Sequence, residues 1–193
     1  VTDMLYACYA LAEEGKDFKK ELAAIKARYE EIIAGLNLEL SLDEEFKQIE
    51  KDFKVKAGDN YAASRGEFLN GKIMAAYLGY TFVDPAECVF FTEEGEFDSE
   101  KTNVALAEKL QKLENAVVPG FYGSLPNGKI KTFSRGGSDI TGSIVARAIH
   151  ADVYENWTDT SGVLVADPRI IKDPVVIETI TYRELRELSY MGF

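Results

Sequence analysis

Apolar and polar residues recur along the first 78 residues with the three-to-four-residue period of amphipathic helices. The first pattern begins near Thr2, which is a candidate N-cap, and its apolar positions are Leu5, Cys8, Tyr9 and Ala12. Further patterns cover 16–35, 38–55 and about 59–78. Ser41 and Glu44 have the spacing of a capping box. The pattern therefore predicts a series of helices before the first strand.

The later part of the chain alternates short apolar runs with helical patterns, which is typical of α/β proteins. The predicted strands are 81–83, 88–91, 115–121 and 151–157. The Asn127-Gly128 pair predicts a hairpin that joins 122–125 to 130–133. Helices are predicted over 102–113, after the glycine pair near 137, and at the end, where Thr181 and Glu184 form a second capping box. We expect a single α/β domain over residues 1–193.

A glycine pair stands between a predicted strand and the helix that follows it. Gly136 and Gly137 permit backbone angles that other residues avoid, and Ser138 or Asp139 can cap the helix. Because amide donors converge at a helix N-terminus and the dipole adds about half a positive charge, an anion can bind there. Arg135 adds a planar fork of donors for a carboxylate or phosphate. A plain strand-to-helix connection is the alternative interpretation.

Two other segments contain candidate binding residues. The loop that starts at Thr158 and Asp159 can bind a ribose hydroxyl, a base edge or a metal-bound water, and Arg169 downstream could reach a phosphate. Gly66 lies inside a predicted helix, where glycine costs about 1 kcal/mol against alanine. This predicts close approach of a neighbour or ligand and makes the adjacent Glu67 a stronger site candidate than most carboxylates of the chain.

Composition narrows the function classes. The formal net charge of −11 argues against nucleic acid as a partner but leaves room for a nucleotide at a local positive site. Cys8 and Cys88 each lie in an apolar run, so we expect buried thiols rather than a disulfide. No apolar run is long enough to span a membrane, and no signal peptide pattern is visible, so a cytoplasmic location and no membrane partner are expected.

Five segments, in order, resemble the aspartate kinase branch of the amino acid kinase family. They are Ala63-Ser64-Arg65-Gly66-Glu67, Pro119-Gly120-Phe121-Tyr122-Gly123, Ser134-Arg135-Gly136-Gly137-Ser138-Asp139, Trp157-Thr158-Asp159 and Asp167-Pro168-Arg169. The resemblance implies a three-layer α-β-α sandwich with a mainly parallel sheet. It also implies transfer of the γ-phosphoryl group of ATP, with Mg²⁺, to the β-carboxylate of L-aspartate, in the biosynthesis of lysine, threonine and methionine.

The same resemblance implies roles for individual residues. Arg135 would hold the α-carboxylate of aspartate, and Glu67 would pair with its ammonium group. The rest of the amino-acid pocket would comprise Thr2, Phe121, Gly136, Gly137 and Ser138. The ATP site would comprise Thr158, Asp159, Leu164 and Arg169. Asp139 would orient a catalytic lysine.

That lysine belongs, in the family, to an opening strand and Lys-x-Gly-Gly loop, which this sequence does not contain before Val1. The resemblance therefore implies the central part of a catalytic domain, incomplete at both ends, from a protein that forms homo-oligomers when intact. We expect the chain alone to be inactive. Two alternatives stay open: another carboxylate kinase of the same fold, and a non-catalytic module that binds a nucleotide or an acidic amino acid.

Overall fold

The computed structural model describes residues 1–133, 137–157, 162–167 and 169–190, with the side chains of 189 and 190 excepted. The chain forms two compact units, Val1–Tyr154 and Glu155–Phe193. The first unit begins with helices α1 (Thr2–Glu13), α2 (Lys19–Gly35), α3 (Asp43–Lys54) and α4 (Asp59–Leu78). The predicted helices are confirmed, and the bounds of α4 agree with those expected from the periodicity.

These helices, which we call the helical layer, enclose a core of large apolar side chains. The ring of Phe53 lies at its centre, with its centroid 5.2 Å from that of Tyr9, 5.9 Å from Phe18 and 6.3 Å from Tyr61. The predicted apolar face of α1 is buried at all its positions, Leu5, Cys8, Tyr9 and Ala12. Helical periodicity was thus sufficient to predict most of this core.

Two predicted helix starts are wrong. Thr2 is the first helical residue rather than the cap, because Val1 occupies the N-cap position without a side-chain cap bond. At α3 the N-cap is Leu42, whose side chain is buried in the helical layer. Ser41 therefore stands one residue too early for a capping box, and its Oγ accepts a bond from the amide of Asp43 at 3.2 Å instead.

The strands of the first unit form two small sheets. Strand β1 (Thr81–Phe82) pairs in parallel with β2 (Ala116–Val117), and α5 (Ser99–Leu110) lies between them in the chain. Strands β3 (Tyr122–Ser124) and β4 (Ile130–Thr132) form the predicted antiparallel hairpin. Gly128 in its turn has a φ of 79°, a conformation that suits glycine.

Two predicted strands are absent from the described structure. Residues 88–91 contribute only isolated bridges, from Phe90 to Ser124 and from Phe91 to Phe97. Residues 151–157 form no strand, since none of them pairs with another described strand. Of their two aromatic residues, Tyr154 lies with its ring against Gly142, whereas Trp157 is 88% exposed.

Helix α6 (Gly137–Ala148) completes the first unit. Ile144 and Ala148 are buried, as the periodicity predicts, whereas Ile140 stays 39% exposed. Gly137, Ser138 and Asp139 are already helical, so the predicted cap at Ser138 or Asp139 is wrong, because both residues lie inside the helix. The buried face of α6 joins a second apolar cluster that includes Val89 and Leu106.

Both thiols are fully buried, as expected. Cys8 belongs to the core of the helical layer and Cys88 to the second cluster. In each case burial, which disfavours the thiolate, raises the pKa to about 11. Both cysteines are therefore protonated thiols at neutral pH.

The second unit contains little regular structure in its described residues. Leu164 bridges to Val176, flanked by a bond from the amide of Val165 to the carbonyl of Val175. Helix α7 (Tyr182–Tyr190) begins at the predicted capping box. There Glu184 accepts from the Thr181 amide at 2.9 Å, and Thr181 Oγ1 accepts from the Glu184 amide at 3.3 Å.

In the part of the chain that the structure describes, none of the helices combines the length and apolar character that crossing a membrane requires.

Candidate functional site

A cleft of about 510 Å³ opens in the first unit between α4, the end of β2 and α6. Helix α4 contributes Glu67 and Gly71, the segment after β2 contributes Pro119 and Gly120, and α6 contributes Ser138. The cleft therefore brings together three of the segments on which the sequence resemblance rests, the outermost of which, at Glu67 and Ser138, are 71 positions apart in the chain.

The walls of the cleft approach one another through glycine. A Cβ atom on Gly71 would lie 2.5 Å from Cγ of Pro119, and one on Gly120 would lie 2.8 Å from Cα of Ser138. Real side-chain atoms do not approach so closely, so any side chain at either position would push the segments apart. Gly71 thus allows α4, and Gly120 allows the start of α6, to lie directly against the segment that follows β2.

Phe121, next to Gly120, has a φ of +83°, which bulky residues rarely adopt and which costs about 1–3 kcal/mol. The fold holds it there by hydrogen bonds. Its amide donates to Oγ1 of the buried Thr141 at 3.0 Å, and its carbonyl accepts from the amide of Phe133 at 2.8 Å. Thr141 in turn donates to the carbonyl of Gly137 at 2.8 Å. This network, which we call the Phe121 turn, ties the end of the β2 segment to the first turn of α6.

Glu67 is half-buried in the cleft wall, and burial raises the pKa of its carboxyl group above the ordinary value of 4.5. The hydroxyl of Tyr29 donates to the carbonyl of the adjacent Gly66 at 3.1 Å. Burial and the nearby charge of Glu67 together raise the pKa of Tyr29 to about 12. A carboxylate in such surroundings gains from a cationic partner, because a desolvated charge is costly alone.

Thr2, the first residue of α1, lies against α4 at Gly66. A Cβ atom on Gly66 would lie 3.6 Å from Oγ1 of Thr2 and 3.5 Å from Cδ1 of Leu5, which is ordinary packing distance. Gly66 thus faces helix α1 at an ordinary contact distance, so the close approach predicted from a glycine inside a helix is not found there. The exposed Thr2 side chain therefore lies beside Gly66, the residue that precedes Glu67 in α4.

The remaining predicted site residues lie at the start of α6, outside the described residues, or in the second unit. Ser138 and Asp139 are exposed in the first turn of α6, after the buried Gly137, where the helix dipole favours negative charge. Arg135, Gly136, Thr158 and Asp159 lie outside the described residues. Predictions about them therefore stay predictions.

Leu164 and Arg169 belong to the second unit. Leu164 is half-buried. Arg169 is exposed, and its guanidinium binds the carboxylate of Asp167 through Nη2 at 2.6 Å and Nε at 3.0 Å. This pairing holds the pKa of Asp167 below its ordinary value. The guanidinium is thus accessible, with a carboxylate as its present partner.

Sequence reasoning missed three residues that shape the site. Gly71 is a second glycine within α4. Because glycine lowers helix stability relative to alanine, its presence inside a predicted helix could have indicated a close contact. Thr141 is a hydroxyl on the buried face of α6, which indicates a bond to the backbone. No local signal marks Tyr29, because its partner Gly66 is 37 positions away.

Residues 9–193 match the amino acid kinase family over most of the chain. The chain belongs to this family. Among its relatives, Aspartokinase 3 of Bacillus subtilis is 36% identical over 212 residues, which cover 100% of this chain and 46% of that protein. Aspartokinase 1, chloroplastic, of Arabidopsis thaliana is 31% identical over 90% of this chain and 34% of its own length.

The chain is also similar to solved structures of aspartate kinases. The crystal structure of aspartate kinase from Clostridium acetobutylicum matches 100% of this chain and 44% of its own, with a TM-score of 0.91 and 48% identity. Aspartokinase III of E. coli, in complex with aspartate and ADP, matches 98% of this chain and 47% of its own at a TM-score of 0.78 and 24% identity, a likeness that shows the fold alone.

These comparisons confirm the amino acid kinase fold and the resemblance to aspartate kinases. The chain spans less than half the length of these relatives. The described cleft lies between segments that carry the family resemblance, so we take it as the candidate site of this family member.

Proposed function

We propose that this chain is part of an aspartate kinase and forms the binding site for L-aspartate, the acceptor of the γ-phosphoryl group of ATP. The observation that carries the proposal is a half-buried carboxylate, Glu67, in the same cleft as Ser138 at the start of α6. A carboxylate and a helix N-terminus in one cleft are complementary to an amino acid, which presents one ammonium and at least one carboxylate. The similarity to aspartate kinases supports the same assignment.

In this proposal Glu67 binds the ammonium group of aspartate, which relieves the cost of a partly desolvated carboxylate. Arg135 binds the α-carboxylate through its planar fork. The β-carboxylate is oriented by the Phe121 turn and the start of α6, with Gly136, Gly137 and Ser138 providing amide and hydroxyl donors. Thr2 closes the pocket on the side of α1.

The nucleotide part of the proposal concerns ATP and Mg²⁺. Its residues would be Thr158, Asp159, Leu164 and Arg169. Arg169 is suited to a phosphate, since its exposed guanidinium could exchange the Asp167 carboxylate for phosphate oxygens. Phosphoryl transfer depends mainly on positioning and charge neutralisation, and Asp139 would orient the lysine that supplies a positive charge in the intact, homo-oligomeric protein.

Calorimetric titration of L-aspartate into the chain, with and without ATP and Mg²⁺, tests the proposal. We expect L-aspartate to bind and Glu67→Gln to weaken binding by roughly tenfold or more, since a hydrogen bond to a charged group is lost. Glu44→Gln is the matched control, because Glu44 lies on α3 with its side chain 82% exposed. Its affinity for aspartate should equal that of the parent. Hydroxylamine trapping of aspartyl phosphate measures turnover in the same samples.

Other outcomes favour the alternatives. Tighter binding of L-glutamate or N-acetylglutamate than of L-aspartate would identify a different carboxylate kinase. Binding of ATP with no amino acid would point to a nucleotide-binding module. Equal weakening by both glutamine variants would show that Glu67 has no special part in recognition.

A further inference from the structure

Arg65 is a buried cation that the proposed function does not use. It lies in α4 two residues before Glu67, and only 6% of its surface is exposed. Its Nε and Nη2 donate to Oγ of Ser64 at 3.1 and 3.0 Å. Among the described residues no carboxylate forms an ion pair with it.

Aromatic rings surround this guanidinium instead. Its Cζ lies 4.4 Å from the ring centroid of Phe68, 4.5 Å from that of Tyr61 and 5.5 Å from that of Tyr122. Ring faces attract a desolvated cation, and the attraction grows as water is excluded. Tyr61 and Phe68 belong to α4, so the contact with Tyr122 is the one that joins α4 to β3.

A purely structural role does not account for a charge at this place. Buried ionic groups can commonly be replaced by apolar side chains of similar volume without loss of stability. A methionine would fill the space between the rings at lower desolvation cost. What a methionine lacks is the directional attraction to the rings and the fork that bonds Ser64.

The Tyr122 ring is fixed at its other end as well. Its hydroxyl donates to Oδ1 of Asp84 at 2.8 Å, and the same oxygen accepts from the amide of Ala86 at 2.9 Å. Tyr122 is fully buried and directly follows Phe121, the residue with φ of +83°. Held by Arg65 on its face and Asp84 at its hydroxyl, the Tyr122 ring limits how far the Phe121 turn can relax.

We propose that Arg65 is a positioning residue, which acts through Tyr122 to hold the Phe121 turn against the cleft that contains Glu67 and so preforms the site for an acidic amino acid. This inference rests on the proposed function. Its physical basis is that Phe121 sits in a strained conformation that the surrounding structure must impose. A turn that relaxes even slightly would misplace the groups that orient the carboxylate.

The test compares Arg65→Met and Arg65→Lys with the parent chain. Arg28→Met is the control, because Arg28 is an exposed arginine on α2 whose ion pair among the described residues is with Glu31 on its own helix. Three quantities are measured: the urea midpoint, the hydrogen-exchange rate of the Phe121 amide by NMR without ligand, and the affinity for L-aspartate by calorimetry.

We expect Arg65→Met to keep a urea midpoint close to that of the parent, to exchange the Phe121 amide faster, and to bind L-aspartate roughly ten- to a hundredfold more weakly. Arg65→Lys, which keeps the cation but not the fork, should be intermediate in both exchange and affinity. It also serves if Arg65→Met does not fold. Arg28→Met should match the parent in all three measurements.

Unchanged exchange at Phe121 in both Arg65 variants would overturn the inference, whatever happens to affinity. Faster exchange with unchanged aspartate affinity would also overturn it, because the turn would then not serve the substrate. A parent chain that binds no aspartate would instead overturn the proposed function. In that case the exchange rates still decide whether Arg65 holds the Phe121 turn.

Discussion

The helical layer and the cleft are built in opposite ways. The helical layer is held by large side chains, with the Phe53 ring among those of Tyr9, Phe18 and Tyr61. The cleft depends on missing side chains, since Gly71 leaves room for the ring of Pro119 and Gly120 leaves room for the backbone of Ser138. Removing atoms should therefore damage the first region, and adding atoms should damage the second. The predictions below test this contrast, from the largest expected effect to the smallest.

Deletion of the central ring should be the most damaging change. We expect Phe53→Ala to lower the free energy of unfolding by about 3–5 kcal/mol, because the transfer energy is lost and a cavity is left. Urea denaturation followed by circular dichroism measures the loss. Val55→Ala, two residues on at a side chain that is 75% exposed, is the control and should change stability by less than about 0.5 kcal/mol. Similar losses for both variants would show that the layer lacks a tightly packed centre.

Addition of one methyl group should disturb the cleft. We expect Gly71→Ala to lower the free energy of unfolding by about 1–3 kcal/mol, because the new Cβ meets the rigid ring of Pro119. Gly35→Ala in α2 is the matched helical control, since nothing lies within 4 Å of its added Cβ. That variant should be equal to the parent or more stable, by up to about 1 kcal/mol. If Gly71→Ala were stabilising too, the close contact between α4 and Pro119 would be wrong.

Titration of Glu67 should have the smallest effect. Burial raises the pKa of Glu67 in the folded chain above its unfolded value, so folding favours the protonated form. This contribution to stability is fully present below the ordinary pKa of 4.5 and is lost as pH rises through the higher folded pKa. Glu67→Gln should therefore be slightly more stable than the parent at neutral pH, with a difference that shrinks in acid. Urea midpoints at several pH values measure this difference, and one that grew in acid would contradict the assignment.

The sequence predicted the helical layer well because amphipathic helices carry their burial pattern locally. The face of α1 and the bounds of α4 both follow from spacing alone. The same spacing over 38–55 predicts Val55 on the buried face together with Phe46, Ile49 and Phe53, and for Val55 this is wrong. Val55 follows the last turn of α3 and is 75% exposed. Glu67 and Ser138 could be proposed as site residues because each follows a glycine in the sequence. Of the two glycines, Gly137 marks a close approach, since its added Cβ would lie 3.0 Å from Phe121 Cδ2, whereas Gly66 makes ordinary contacts.

The rest of the site depends on contacts between distant positions. The hydrogen bond from Tyr29 to Gly66 and the one from Phe121 to Thr141 join residues at least 20 positions apart. Patterns of neighbouring residues in the sequence do not reveal such pairs. The strand expected over 151–157 fails for the same reason. Aromatic and β-branched residues favour a strand only where a partner strand exists, and Tyr154 packs on Gly142 instead.

The two buried cysteines give each apolar cluster of the first unit its own chemical reporter. Only a thiolate reacts readily with an alkylating reagent, and both thiols are protonated and shielded in the folded chain. Each cysteine can be labelled only when the apolar cluster around it opens. The labelling rate of Cys8 therefore reports opening of the helical layer, and that of Cys88 reports opening of the second apolar cluster, which includes Val89 and Leu106. Mass spectrometry of the labelled peptides thus measures the opening of each apolar cluster separately, without any engineered probe.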